Sequence, residues 1–344
     1  MEIGIAIFGV GRWGVHLVRN FLNHPHSRII AVVDPHSEKL QAIQEHLQLD
    51  KGIALVENWI EALELPGISA VAIATPASTH YEIISAALKK GYHVLSEKPL
   101  TLKYSDSVAL CKLAEQQQLQ LFVDHTYLFN PVVQTGKSII AQGKLGKLRY
   151  GYGTRTHLEP VRSDVDALWD LAIHDICIFN SWLQETPIEV AANGKIWLPQ
   201  QPPQSDLVMA KLVYPSGFQA FLHLCWLNPD KQRRLGVVGS QGTLIFDEMS
   251  ADQPLVIQHG HLEYLGSAWK AVEISQEVIA IKKAEALAHV CHKFLNCILT
   301  NTISQISSGW IGAELVEILC ALNNSLQQEG KIIRREQPDS SFHN

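Results

Sequence analysis

Residues 3–14 read IGIAIFGVGRWG, an apolar run that ends in glycines at positions 9, 11 and 14. The run has the length of a buried strand, and beyond it Val15, Val18 and Leu22 recur at helical spacing. A G-x-G-x-x-G spacing is weak by itself, because glycine is common. Between a strand and a helix it has a specific meaning: Gly9 permits the tight turn, Gly11 lets backbone approach a pyrophosphate, and Gly14 lets the helix pack on the strand. The exposed N–H groups and the helix dipole then hold the anion. Asp34 closes the next apolar run, RIIAVVD, twenty residues after Gly14. Its carboxylate is suited to accept hydrogen bonds from a ribose 2′-hydroxyl and to repel a 2′-phosphate. No arginine directly follows it, so the pattern favours NAD(H) over NADP(H). Arg12 and Trp13 lie inside the turn and join the cofactor-binding candidates. No second flavin-type signal is present.

Working outward, ISAVAIAT (68–75), YHVLSEK (92–98) and LQLFVD (119–124) repeat the strand pattern with helix-like segments between them. Strands alternating with helices predict βαβ units and a mostly parallel sheet over residues 1–124. Thr79-His80-Tyr81-Glu82 fits a capping box, and Gly91 suits the position just past that helix.

After residue 124 the pattern changes. Asn130-Pro131 predicts an N-cap with proline at the first helical position, opening a helix that runs to about Gly143. Five strand-like stretches follow: KLRYGYGTRTHL (147–158), IEVAANGKIWL (188–198), LVMAKLVY (207–214), GFQAFLHLCWL (217–227) and VVGSQGTLIFD (237–247). The last has hairpin character around Gly239-Ser240-Gln241-Gly242. Strands without intervening helices predict a largely antiparallel sheet. One helix, 166–183, interrupts them, PQQPPQSD (199–206) is a polar loop, and helices over 282–300 and 310–328 end the fold. The expected division is a dinucleotide-binding domain (1–124), a second α/β domain (125–330) whose last helix packs back on the first, and a polar tail (331–344) that frays after Arg335.

The composition fits this plan. A chain of 344 residues, 47% hydrophobic and 18% charged, has length for two cores. A net charge of −6 without a long basic run argues against nucleic-acid binding. The six cysteines form no C-x-x-C and read as apolar fillers in a reducing compartment. H-x-H at His24/His26 and His259/His261, and H-x-x-H at His289/His292, lack the partners of a metal quartet, so no metal is expected. No leader pattern and no membrane-length apolar run is visible, and the expected location is the cytoplasm with no membrane partner.

Chemistry enters at LSEKPL (95–100), where a strand ends in a carboxylate and an ammonium, and again at DALWDLAIHDICIFNSWL (166–183). At 100° per residue, Asp170, His174, Cys177 and Ser181 form one narrow polar stripe opposite Leu168, Ala172, Ile176, Phe179 and Leu183. Asp170 and His174, four apart, are neighbours on that face. Asp175 lies nearer the apolar stripe and reads as structural, bonding a neighbouring backbone group. His80 follows the fourth strand and His125 the sixth, both at the carboxyl edge where parallel sheets bind ligands. His80 is a cap or cofactor-edge residue or a substrate contact, and His125 a substrate contact or a hydrogen bond at the domain joint. Arg155 and Arg162 are candidates for an anionic substrate group, with surface solvation as the alternative, and Trp169, beside Asp170, joins the substrate set.

Three motifs, GVGRWG (9–14), ATPASTHYE (74–82) and EKPL (97–100), followed by NPVV (130–133), GKLGKL (143–148) and DLAIHD (170–175), occur in the order and spacing of the glucose-fructose oxidoreductase/inositol dehydrogenase/MocA family. The chain resembles that family over almost its whole length. The resemblance implies an α/β fold: an N-terminal Rossmann domain with a doubly wound parallel sheet, and a C-terminal α/β domain whose open, mostly antiparallel sheet makes a homodimer or homotetramer interface. It implies a nicotinamide-dependent dehydrogenase acting on a hydroxyl or keto carbon of a sugar, cyclitol or nucleotide sugar. Thr75, Pro76, Glu97 and Lys98 join the cofactor set. Lys98, His174 and Asp170 become the catalytic candidates: His174 as general base, Asp170 orienting it, and Lys98 donating to the substrate oxygen. The family's breadth keeps three alternatives open: an NAD-using glycosidase or lyase without net redox, a reductase of a tetrapyrrole- or imine-like substrate, and a non-catalytic cofactor-sensing protein.

Overall fold

The computed structural model describes residues 2–199 and 203–335. They form two compact units, Met1–Phe129 with Glu285–Glu317, and Asn130–Ala284 with the chain from Ile318 onward.

The first unit alternates strand and helix: β1 (Ile3–Phe8), α1 (Gly14–Leu22), β2 (Ser27–Val33), α2 (Ser37–Leu47), β3 (Ala54–Val56), α3 (Trp59–Ala62), β4 (Ala70–Ile73), α4 (His80–Lys89), β5 (His93–Glu97), α5 (Tyr104–Gln116) and β6 (Leu121–Asp124). The strands lie in the order β3-β2-β1-β4-β5-β6, and every pairing is parallel. All residues of β1, β4 and β6 are buried, as helices on both faces of a parallel sheet require. The chain reverses its order at β1 and β4, so the carboxyl ends of these strands open onto the crevice where such sheets bind ligands.

In the second unit follow α6 (Pro131–Ala141), β7 (Leu148–Thr156), α7 (Ile173–Leu183), β8 (Glu189–Lys195), β9 (Leu207–Val213), β10 (Gln219–Cys225), β11 (Gln232–Gly239), β12 (Gly242–Asp247), β13 (Leu255–Leu265) and β14 (Ala268–Val278). Asn130 caps α6 by accepting from the Val132 N–H at 2.8 Å, with Pro131 at the first helical position, as the sequence predicts. The sheet runs β14-β13-β12-β11-β7-β10-β9-β8-β15, the last being Ile333–Arg334, a short strand inside the expected tail. All pairings are antiparallel except β7–β10. Burial alternates along β9 and β10, so one face is covered and the other, bearing Tyr150, Met209 and Phe221, is open. Residues after Arg335 and part of the 199–206 loop lie outside the described residues.

Two helices follow, α8 (Ala286–Thr300) and α9 (Gly309–Gln327). Helix α8 and the start of α9 group with the first unit rather than with the second. The contacts explain it. The ring of Phe294 packs edge-on against Phe122 at 5.9 Å, the Ser307 hydroxyl donates to the Val123 carbonyl, and Arg19 pairs with Glu285. Helical periodicity shows that such a segment has an apolar face, not which sheet that face covers.

Two local expectations need correction. Thr79 does not cap α4 with its side chain; its hydroxyl donates to the Pro76 carbonyl and lies in hydrogen-bond contact with the Thr75 hydroxyl, within a 3-10 turn over Ala77–Thr79. The predicted helix over 166–183 is a π-helical turn, Leu168–Ala172, continued by α7. The wider turn changes the angular phase between Asp170 and the residues after it; Asp170, His174 and Ser181 are half-buried, and Cys177 is buried.

Candidate active site

The turn between β1 and α1 is built for close approach. Gly9 has φ +88°, and a Cβ on Gly14 would lie 1.8 Å from the Gly9 carbonyl oxygen. A Cβ on Gly11 would meet nothing within 4 Å, so its backbone faces open space. Trp13 is exposed, and its ring meets His16 edge-on at 5.9 Å. Asp34 is buried beside this turn. Its Oδ2 accepts from the Val10 N–H at 3.0 Å, its Oδ1 accepts from the His36 N–H at 3.1 Å with His36 Nδ1 at 2.9 Å, and Lys39 Nζ lies 3.9 Å away. Burial alone would raise its pKa; the hydrogen bonds from Val10 and His36, with Lys39, bring it below the ordinary value, so it is a fixed anion. The open space at Gly11, the helix beginning at Gly14 and the buried anion at the end of β2 fit a dinucleotide.

Beyond β4 and β5, two turns are stitched together. His80 is buried, with Nδ1 2.9 Å from the Pro99 carbonyl oxygen and Nε2 3.0 Å from the Thr75 carbonyl oxygen. Its ring therefore bridges the Thr75-Pro76 turn and the Lys98-Pro99 turn, whose peptide bond is cis. This is a positioning task, distinct from the capping role read from sequence.

Glu97 ends β5 and Asp124 ends β6, and the two are register partners. The Thr126 hydroxyl donates to Asp124 Oδ1 at 2.7 Å, and the Lys98 N–H donates to Glu97 Oε2 at 3.3 Å. Burial, then the Asp124 charge, push the Glu97 carboxyl well up, and burial pushes Asp124 up to about 6 despite Thr126, Glu97 and Lys98. His125 is buried too; burial and the Lys98 charge bring its pKa down to about 3, so it is neutral. Sequence reading had no signal for Asp124, because a carboxylate closing an apolar run looks like any strand end.

In the second unit the π-turn gathers a polar group of its own. Asp166 Oδ1 accepts from the Trp169 N–H at 3.0 Å, and burial lifts the Asp166 pKa to about 6. Asp170 is approached by Arg162 Nη1 at 3.4 Å and receives the Trp226 indole N–H at 3.3 Å. Arg162 also holds Asp164 through two nitrogens, at 2.9 and 2.6 Å. His157, which the sequence did not single out, is buried; burial lowers its pKa against the pull of the Asp170 charge. Trp169 is buried, and His174 is half-buried with its carbonyl accepting from the Cys177 thiol at 3.0 Å.

Arg155 belongs elsewhere. Only 2% exposed, it places Nε and Nη2 at 3.0 and 2.7 Å from Asp175 Oδ1. The structure thus puts the guanidinium in a buried ion pair rather than on the surface, and Asp175 bonds a side chain rather than backbone. Among the described residues no cluster of three or more metal-ligating side chains occurs, and no helix is long and apolar enough to cross a membrane. A cavity of about 360 Å³ opens beside the N-terminal end of β6, lined by Leu119, Gln120, Leu121 and Trp310, at the other end of the strand from Asp124.

The first unit is the cofactor-binding half of an NAD(P)-dependent oxidoreductase. Comparison with known sequences makes this particular: the chain belongs to the GFO/IDH/MocA family, residues 3–125 matching the oxidoreductase family with an NAD-binding Rossmann fold and residues 133–245 the family's C-terminal domain. It is similar to scyllo-inositol 2-dehydrogenase (NAD(+)) of Bacillus subtilis, 26% identical over 283 residues, 79% of this chain and 80% of the relative. It is 26% identical over 294 residues to UDP-N-acetylglucosamine 3-dehydrogenase of Acidithiobacillus ferrooxidans, 85% and 88% of the two chains. A solved structure of that enzyme matches with TM-score 0.80 and 23% identity over 95% of this chain and 98% of the other. A third relative, 2,7-anhydro-N-acetylneuraminate hydratase of Mediterraneibacter gnavus, is 32% identical over 158 residues, 46% of this chain and 40% of its own.

Proposed function

We propose that the protein is an NAD(H)-preferring dehydrogenase or reductase exchanging hydride with a hydroxyl or keto carbon of a sugar, cyclitol or nucleotide sugar. The observation that carries this reading is the conjunction, within one unit, of the Gly9–Gly14 cradle, the fixed anion Asp34, and Lys98 at the carboxyl end of β5. The two dehydrogenase relatives support the substrate class. Bound at the cradle, the nicotinamide dinucleotide supplies the hydride acceptor or donor. Gly11 would bring its backbone N–H to the pyrophosphate, with Gly9 and Gly14 shaping the turn and Arg12, Trp13, Thr75 and Pro76 at its margins, and Asp34 would accept from the adenosine ribose.

Lys98 donates to the substrate oxygen and stabilises the negative charge that develops there. His174 takes the hydroxyl proton in the oxidative direction, and Asp170, set by Arg162 and Trp226, orients it. Arg162 and Trp169 line the substrate side. His125 contributes a neutral imidazole and Glu97 an anchor for Lys98. The open face with Tyr150, Met209 and Phe221 supports assembly of a homodimer or homotetramer. Lys98→Ala and His174→Ala, assayed against a panel of cyclitols and nucleotide sugars with NADH affinity measured separately, test the assignment. Near-wild-type turnover in both would refute it.

A second reading rests on the hydratase relative: chemistry in which the dinucleotide is not consumed. Product formed without net NADH, from protein that retains its dinucleotide through purification, would favour it.

A further inference from the structure

At the carboxyl ends of β5 and β6 a half-buried acid, Glu97, and a buried one, Asp124, meet with one base. Glu97 and Asp124 are register partners, and their carboxyl groups lie within hydrogen-bonding reach. Thr126 serves Asp124 Oδ1, while Asp124 Oδ2 is buried and meets no protein donor among the described residues. Two ionised carboxylates facing each other in this setting would repel, and Oδ2 would be left without a hydrogen. The other charges near the pair come from each packed element. Lys98 follows on β5, His125 beyond β6 is neutral, and Cys291 on α8, its thiol pKa raised chiefly by burial, is neutral too. Glu285, at the start of α8, also acts on Cys291. With both acids ionised, the pair and Lys98 carry a net −1; with one proton between them, they carry none. Burial favours the neutral count.

We propose that Glu97 is held protonated and donates its carboxyl hydrogen to Asp124, so that the pair presents a single negative charge that positions the Lys98 ammonium. Asp124 and Glu97 are then positioning residues acting through Lys98. The inference rests on the catalytic role given to Lys98 above, but the proton itself is measurable without turnover.

The folded protein keeps this proton at pH values where the unfolded chain, with an ordinary glutamate pKa of 4.5, has released it. The pair therefore contributes stability that is full below that value and is lost as pH rises towards the folded pKa. Glu97→Gln keeps a donor towards Asp124 but cannot titrate. Two readouts decide. At pH 7 infrared spectroscopy should show the carbonyl stretch of a protonated carboxylic acid in the wild type and not in Glu97→Gln. Between pH 5 and pH 9, ranges chosen to bracket roughly the carboxyl and imidazole scales, the Tm of wild type should fall relative to that of Glu97→Gln. Should Glu97→Gln fail to fold, Asp124→Asn serves: the Glu97 acid would then meet an amide in place of a carboxylate, so its carbonyl band should shift in frequency, and an unshifted band would place the proton on another acid. No acid band in the wild type, together with parallel Tm profiles, overturns the proposal. For the positioning role, Glu97→Ala should lower kcat at least tenfold, with Glu97→Gln restoring most of it; equal losses in both variants overturn that role. If the band and the Tm trend appear but Lys98→Ala retains full turnover, the shared proton stands and the catalytic reading of Lys98 falls.

Discussion

Two acid–base clusters sit in the two units, and they differ in the balance of acids and bases. In the second unit Asp175 and Arg155, with side chains 0% and 3% exposed, pair directly, and Glu248, 3.9 Å from Arg155 Nη1, is paired in turn with Arg233 at 2.9 Å, so acids and bases are equal in number. In the first, Glu97 and Asp124 face a single nearby base, Lys98. The matched pair fixes β7 to the start of α7, and its charges are satisfied by each other. The mismatched cluster leaves a proton whose place depends on its surroundings, which is how functional sites differ from structural ion pairs. The matched pair also has one open valence: both Arg155 nitrogens go to Oδ1, while Asp175 Oδ2 has no partner among the described residues.

The largest effect should come from breaking the matched pair. Arg155→Ala leaves Asp175 buried and unpaired, and should cost about 3–5 kcal/mol of stability. Urea denaturation measures it, and a change within error of zero would mean that Asp175 finds another partner. Kinetic constants of the folded fraction should stay near wild type, since Arg155 is committed to the fold.

Breaking the mismatched cluster should do the reverse. Lys98→Ala should lower kcat/KM by about 10²–10³, the scale of one lost charge-stabilising donor, while the Tm changes by little. If it instead unfolds the protein as Arg155→Ala does, the two clusters are equivalent and the distinction drawn between them fails.

The difference also marks what could be read from the sequence. The parallel sheet, the glycine turn and Asp34 were legible because each rests on spacing within one βαβ unit. The antiparallel character of the second sheet followed from strands without intervening helices; the parallel pairing of β7 with β10 did not, since it joins segments some sixty residues apart. Arg155 and Asp175 were each visible, yet twenty residues of chain hide their contact, and the arginine was read as a substrate contact. The π-turn at Leu168–Ala172 escaped because a 100° period is assumed, not observed, in a helical pattern. Asp124 and His157 acquire meaning only from what lies across from them.

Within the first unit the cofactor turn gives a smaller and cleaner test. Gly11 faces open space, so Gly11→Ala should leave the Tm unchanged and weaken NADH binding by about 1.5–3 kcal/mol, the worth of a displaced charge-assisted hydrogen bond. Binding measured by calorimetry decides it; a fall in Tm of the size expected for Arg155→Ala would show that the turn is packed like the matched pair rather than open for a ligand.

The smallest effect should appear at Asp34, where neighbours that spacing alone did not reveal surround the carboxylate. The absence of an arginine after Asp34 argued for NAD(H), but His36 and Lys39 lie beside its Oδ1 at 2.9 and 3.9 Å. In the wild type they are turned to the carboxylate, which holds its charge below the ordinary range and keeps a 2′-phosphate away. Asp34→Asn removes the repulsion and leaves the Lys39 ammonium and the His36 ring in place. The ratio of NADPH to NADH affinity should therefore rise, by about tenfold or less, equivalent to about 1.4 kcal/mol. Adding Lys39→Ala should take back part of that rise, because the phosphate would lose its counter-charge. An unchanged ratio in Asp34→Asn would mean that discrimination is set elsewhere in the cradle. A rise that Lys39→Ala leaves intact would assign the phosphate to His36, and Asp34→Asn combined with His36→Ala should then abolish it.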